Sequence, residues 1–195
     1  NEYMETVTSF SASLLQGLGG DTEQAAKLAD LAITDMSDNA NKMGTDISSI
    51  QNAYQGFAKQ NYTMLDNLKL GYGGTAAEMA RLINDSGVLG DQVTVTAKTV
   101  NEVSFDKMIE AIHVVQTELG ITGTTAKEAS TTIQGSANAM KSAWQNMLTG
   151  FADEKSNLSQ LTKNLTDSII TFADNLIPRI MEILPRLTEG FTQLI

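Results

Sequence analysis

Gly44–Thr75 reads GTDISSIQNAYQGFAKQNYTMLDNLKLGYGGT. Thr45-Asp46 precedes an apolar pattern, and a short acceptor side chain there is a helix start signal. Ile47, Ile50, Tyr54, Phe57 and Ala58 recur at helical spacing and give one apolar face. Met64, Leu65, Leu68 and Leu70 form a second, shorter patch. Gly71, Gly73 and Gly74 then stop the pattern around Tyr72, and Thr75 caps a helix expected over Ala76–Asn84. The period is 3.6 rather than 2, so this stretch commits the chain to helices.

The same rhythm runs outward in both directions. Tyr3, Val7, Phe10 and Leu14 line an expected first helix, stopped by Gly17, Gly19 and Gly20. Asp21-Thr22 caps a second from Glu23 to about Met43, with Ala25, Leu28, Ala32 and Met36 in line. The short glycine loop predicts a helix hairpin. Asp35–Asn41 is too polar for a firm helical assignment. Val93, Val95 and Ala97 alternate with polar residues, and an extended linker is preferred to a lone strand. Asn101 or Ser104 caps Phe105–Leu119, where Phe105, Met108, Ile109, Ile112, Val115 and Leu119 keep the helical interval. Thr124-Thr125 opens a long helix predicted over Ala126–Leu148.

After an expected cap at Asp153, the chain carries two apolar stripes in succession. Leu158, Leu161, Leu165, Ile169, Phe172 and Leu176 form the first. After Pro178 a second stripe follows, formed by Ile180, Ile183, Leu184, Leu187, Phe191 and Leu194. Pro178 and Pro185 are expected to break the helix, since each lacks a backbone donor and crowds the preceding turn. No fixed-period repeat organises the whole chain; the nearest is the seven-residue step between these prolines. A lone amphipathic helix of this length leaves a wet apolar strip, so a partner helix from the same chain or another copy is expected to cover it, and the stripes are the candidate self-association surface. The expected fold is all-α: helices with glycine-rich breaks, hairpins or a bundle, and an amphipathic C-terminal extension. The expected division is a helical subdomain at 1–86, a linker at 87–103, a second subdomain at 104–153 and the extension at 154–195.

Composition narrows function mainly by exclusion. Of 195 residues, 13 are Lys or Arg and 23 are Asp or Glu, for a net charge of −10. Residues 1–100 carry −6 and the rest −4, so no basic half exists to neutralise phosphates, and direct nucleic-acid binding is not expected. There is no cysteine, hence no disulfide and no thiolate metal site. Ile169–Leu184, the most apolar reach, contains Asp174, Asn175, Arg179 and Glu182 and is no plain membrane span. The chain starts at Asn1 with an apolar pattern already running, and is expected to be a piece of a longer protein.

Three local features invite a chemical reading. His113 is the only histidine; with scattered carboxylates and no nucleophile it reads as a helix-border residue rather than a catalytic base or metal ligand. Gly71–Thr75 lacks the lysine of a phosphate loop and follows no strand, so a helix stop and Thr cap account for it. Trp144, with Met140, Met147 and Phe151, suits a buried core better than an exposed anchor. Glu23 and Lys27 form an i, i+4 surface pair. No catalytic, cofactor or metal residue is assigned, and no enzymatic activity is expected.

Two separated phrases, Ser48–Thr75 and IHVVQTELGITGTTAKEASTTIQGS (Ile112–Ser136), resemble a segment of tail tape measure proteins of long-tailed, non-contractile bacteriophages. The resemblance covers about Met36–Asp153 and, more loosely, the remainder. It implies a structural virion protein, of phage or prophage origin, lying in the tail tube lumen. Such a protein sets tail length during assembly in the host cytoplasm and leaves during DNA ejection. It also implies the tail tube protein and tail assembly chaperones as partners. Some members carry peptidoglycan hydrolase domains, but no residue here matches one. The rival reading is a secreted or surface helical interaction module of bacterial origin, suggested by the Ala/Ser/Thr/Asn/Gln-rich composition.

Overall fold

A computed structural model describes residues 13–152 and 156–192, with residues 184–192 described by backbone alone. It is all-helical, with no strand among the described residues. Two compact units divide it, Asn1–Thr124 and Thr125–Ile195. The division falls later than the 87–103 linker read from the sequence. Residues 87–103 belong to the first unit, because Val95 and Val100 are buried in its core.

The first unit opens in α1, described over residues 13–17, followed by α2 (Thr22–Met43), α3 (Ile47–Ala58), α4 (Ala76–Ser86) and α5 (Phe105–Glu118). Single 3₁₀ turns lie at Leu65–Leu68 and Val100–Glu102. Acceptor side chains start the helices. Asp21 takes the N–H groups of Glu23 and Gln24, Asp46 that of Ser49 at 3.2 Å, and Thr75 that of Glu78 at 3.2 Å. Gly44 and Gly87 end α2 and α4 in the left-handed conformation, at φ 64° and 68°.

α5 packs on α2, α3 and α4, and α2 packs on α3. Ile50, Tyr54 and Phe57 from α3 meet Met79, Leu82 and Ile83 of α4 and Met108, Ile109 and Ile112 of α5 in a single buried cluster. The shorter patch of the opening stretch joins them through Leu65, Leu68 and Leu70, while Met64 stays partly exposed. Residues 93–96 form neither helix nor strand. Instead the Asn84 side chain donates to the Val95 carbonyl and accepts from its N–H, both at 2.8 Å, taking the place of a neighbouring strand.

The second unit contains α6 (Thr124–Thr131) from its second residue onward, α7 (Ile133–Phe151) and α8 (Leu158–Thr192). The single helix expected over Ala126–Leu148 is therefore two. Thr132 leaves the helical region, and its hydroxyl caps Gly135 N–H at 2.9 Å to start α7 afresh. α7 and α8 form an antiparallel hairpin. Gly150 lies beside Leu161 at one end, and Asn175 donates to the Ser130 and Thr132 carbonyls at the other. Neither proline ends α8, contrary to expectation. Each removes one hydrogen bond, and the carbonyls so freed, on Asp174 and Met181, belong to exposed residues where water replaces the lost donor. The expected helix contacts of Tyr3, Val7 and Phe10 and the Asp153 cap lie outside the described residues.

Candidate functional site

Two places depart from an ordinary helical core, one in each unit. In the first, the segment of α2 too polar for a firm assignment is helical and largely buried. Asp35, Asp38 and Asn39 are all but inaccessible to solvent, as is Gln116 on α5. Spacing explains the arrangement, since Asp35, Asp38 and Asn39 share one helix face turned towards α5. The His113 ring is within hydrogen-bonding distance of both Asp35 oxygens, Nδ1 lying 2.9 and 3.1 Å away. The Asn39 amide donates to the Gln116 side-chain oxygen at 2.8 Å and to the Leu68 carbonyl at 2.9 Å. Asp38 accepts from Gly123 N–H at 2.6 Å, and its own carbonyl accepts from the Thr124 hydroxyl at 3.2 Å. One polar seam thus fixes α2 to α5, to the Leu65–Leu68 turn and to the segment after α5.

His113 is a helix-border residue, as the sequence suggests, but its partner is Asp35, 78 positions away, and not the neighbouring Asp106 or Glu110. Sequence reasoning missed Asp35, Asn39 and Gln116. The available signal was a run of polar residues at helical spacing inside an apolar pattern. Burial pushes the Asp35 carboxyl up from 3.8 to about 6, helped by nearby Asp38 and opposed by the His113 hydrogen bond. The hydroxyl of Tyr54 on α3 makes no hydrogen bond in the core, and burial raises its pKa as well, with the Asp35 charge adding to the effect.

That shift has a defined sign. Above pH 6 the native state holds a buried charge; in the unfolded chain Asp35 keeps a proton only below 3.8. The native state therefore takes up a proton first as pH falls, and the Asp35 contribution to stability rises from neutral pH through 6 towards 4. Asp35→Asn stays neutral and keeps a polar group opposite His113. We expect it to be more stable than the parent at about pH 8 by roughly 1–3 kcal/mol, and to converge on it near pH 4. Denaturant midpoints across that range measure the difference. A gap that does not change with pH contradicts the burial account.

The glycine-rich loop is closed by its own neighbours. Gly73 N–H donates to Glu78 at 3.1 Å, Arg81 donates to the Gly71 carbonyl at 2.9 Å, and the Arg81 guanidinium stands over the Tyr72 ring, 4.2 Å from its centre. The Thr75 cap is as read. Lys27 and Glu23 pair on the surface at 2.7 Å. Among the described residues no cluster of His, Asp and Glu has the geometry to hold a metal ion, and no helix is long and apolar enough to cross a membrane.

The second place is the α7–α8 hairpin. Its apolar faces meet, but no apolar side chain described in it is fully buried. Leu161, Leu165, Phe172 and Leu176 are half-covered by packing within the unit, whereas Leu158, Ile169, Ile180 and Ile183 are exposed. The side chains of Leu187 and Phe191 lie outside the description. Trp144, expected in a core, is 49% exposed and borders an apolar groove of about 270 Å³ with Met140, Leu165 and Ile169. The reason is geometric, since two helices alone bury one stripe each and leave the flanks wet. No protein-family model, curated protein or solved structure matches this chain.

Proposed function

We propose that this chain is part of a phage tail tape measure protein, a structural virion component that sets tail length during assembly and is released during DNA ejection. The observation that carries the proposal is the second unit, a long helical hairpin whose described apolar side chains are all at least partly uncovered. A hairpin of this kind suits a component that completes its packing within an assembly. The first unit supplies a folded joint of fixed shape, which suits a part of the tape other than its uniform rod. The particular assembly is named by the likeness of Ser48–Thr75 and Ile112–Ser136 to tape measure proteins. In this reading the partners are other copies of the chain, the tail tube protein and the tail assembly chaperones. The locations are the host cytoplasm and then the tube lumen. No catalytic step is assigned.

The test replaces Leu165 and Phe172 together with lysine in the phage or prophage that encodes the chain. Both side chains are half-covered on the stripe that packs α8 against α7, and lysine at both places removes that apolar contact and sets two charges against the apolar face. Electron microscopy is expected to find normal heads with tails absent or of wrong length. Normal tails in that variant sink the assignment.

A further inference from the structure

Among the described residues, three buried polar atoms on α2 and α3 make no hydrogen bond. They are Oδ1 of Asn39 on α2, and Nε2 of Gln51 and the hydroxyl of Tyr54 on α3. All three residues are buried. Enclosing an unpaired polar atom forfeits its bonds to solvent, so buried polar atoms are nearly always partnered.

The fold brings the three together. α2 and α3 pack on each other and are joined by three residues, Gly44–Asp46. Asn39 lies five residues before that connection and Gln51 five after it, at matching distances along the two helices. One turn farther out, Asp35 precedes Asn39 on α2 and Tyr54 follows Gln51 on α3. The Tyr54 hydroxyl is near enough to the Asp35 carboxylate to feel its charge. A second path also places Asn39 against the start of α3. Its amide nitrogen bonds the Leu68 carbonyl, and the Leu65–Leu68 turn packs on α3, where Asn67 donates to the Ser49 carbonyl at 3.3 Å.

The balance of donors and acceptors selects the occupant. Gln51 Nε2 donates, and so does the Tyr54 hydroxyl, which burial keeps protonated. Asn39 Oδ1 accepts. Asp35 accepts as well, since His113 Nδ1 brings at most one proton to its two oxygens and lone pairs remain. Two donors thus face two acceptors, and a water molecule, with two lone pairs and two hydrogens, satisfies all four. A metal ion or ammonium group would meet the Gln51 amide hydrogens, and an anion would meet the Asp35 carboxylate. Direct pairing of Gln51 with Asn39 and of Tyr54 with Asp35 is the dry alternative, and the structure shows neither bond.

We propose that α2 and α3 enclose one structural water molecule, which accepts from Gln51 Nε2 and the Tyr54 hydroxyl and donates to Asn39 Oδ1 and the Asp35 carboxylate. It sits at the amide oxygen of Asn39, apart from Leu68 and Gln116, which bond the amide nitrogen. None of the direct bonds of the polar seam reaches α3; the water ties α3 to the same two residues that hold α2 on α5. The inference does not rest on the tape measure assignment.

The test uses the whole 195-residue chain. A high-resolution crystal structure is expected to show one ordered water about 2.7–3.2 Å from Gln51 Nε2, Tyr54 Oη and Asn39 Oδ1 alike. In solution, nuclear Overhauser transfer between water and the side-chain amide protons of Asn39 and Gln51 is expected to have the sign of a long-lived contact. Gln51→Leu and Tyr54→Phe each remove a donor with little change of volume. Together they are expected to abolish the transfer at Asn39 while its bonds to Leu68 and Gln116 persist. If the double variant does not fold, the crystal structure and spectra of the parent decide alone. A site without water overturns the proposal, and so do direct Gln51–Asn39 and Tyr54–Asp35 bonds in its place. Transfer at Asn39 that is unchanged in the double variant overturns it too. Each of these outcomes leaves the tail phenotype of the Leu165 and Phe172 variant untouched, so the two proposals fail separately.

Discussion

Replacing Phe57 with alanine is expected to remove about 3–5 kcal/mol from the stability of the first unit. Phe57 is fully buried on α3. Its ring lies 5.8 Å from that of Tyr54 and 6.4 Å from that of Tyr62. Truncation loses the transfer free energy of the ring, and also leaves a void that these neighbours close only in part. Domain stabilities run to about 5–15 kcal/mol, so the loss is a large fraction of the whole. A drop in denaturant midpoint with an unchanged slope checks it. The second unit offers a contrast, because Trp144 is larger but half exposed. Trp144→Ala is expected to cost the isolated chain much less. A Phe57→Ala loss below about 1 kcal/mol would show that this core is not the close-packed cluster described.

The fold was legible where local signals agreed with burial. Asp21, Asp46 and Thr75 each cap the helix they precede, and the Ile50–Tyr54–Phe57 face is the face that is buried. It was illegible where a local rule met a tertiary circumstance. Proline opposes helix in general, but α8 is solvated at Asp174 and Met181, so the freed carbonyls need no protein donor. Polar residues read as surface in general, yet Asp35 and Asn39 find partners on α5, 78 and 77 positions away. No window of local sequence contains that pairing. Val93–Thr96 looked like a linker because its bonding partner is a side chain, Asn84, rather than a strand. The stripe on α8 was visible from Leu158 onward. Which of its residues are half-covered and which exposed depends on where α7 begins, which the break at Thr132 decides.

Two residues of the polar seam one helical turn apart make opposite predictions, which separates a buried charge from a buried hydrogen bond. Asp35→Asn is expected to gain stability at neutral pH, whereas Asn39→Ala is expected to lose about 2–4 kcal/mol at every pH. Asn39 contributes no charge. Its amide supplies two donors, to the Leu68 carbonyl and to the Gln116 side chain, and no water can reach either acceptor once the fold has closed. Removing the amide leaves both acceptors buried and unpaired at a cost of about 1–3 kcal/mol each. Coupling follows from the same geometry. If Gln116 is replaced by leucine, one of those acceptors is gone, and Asn39→Ala should then cost less than in the parent chain. A double-mutant cycle on Asn39 and Gln116 is therefore expected to give a coupling energy of about 1 kcal/mol or more. Strict additivity would mean that the two side chains share no bond. The seam would then be a set of independent polar contacts, with no role in fixing the register of α2 on α5.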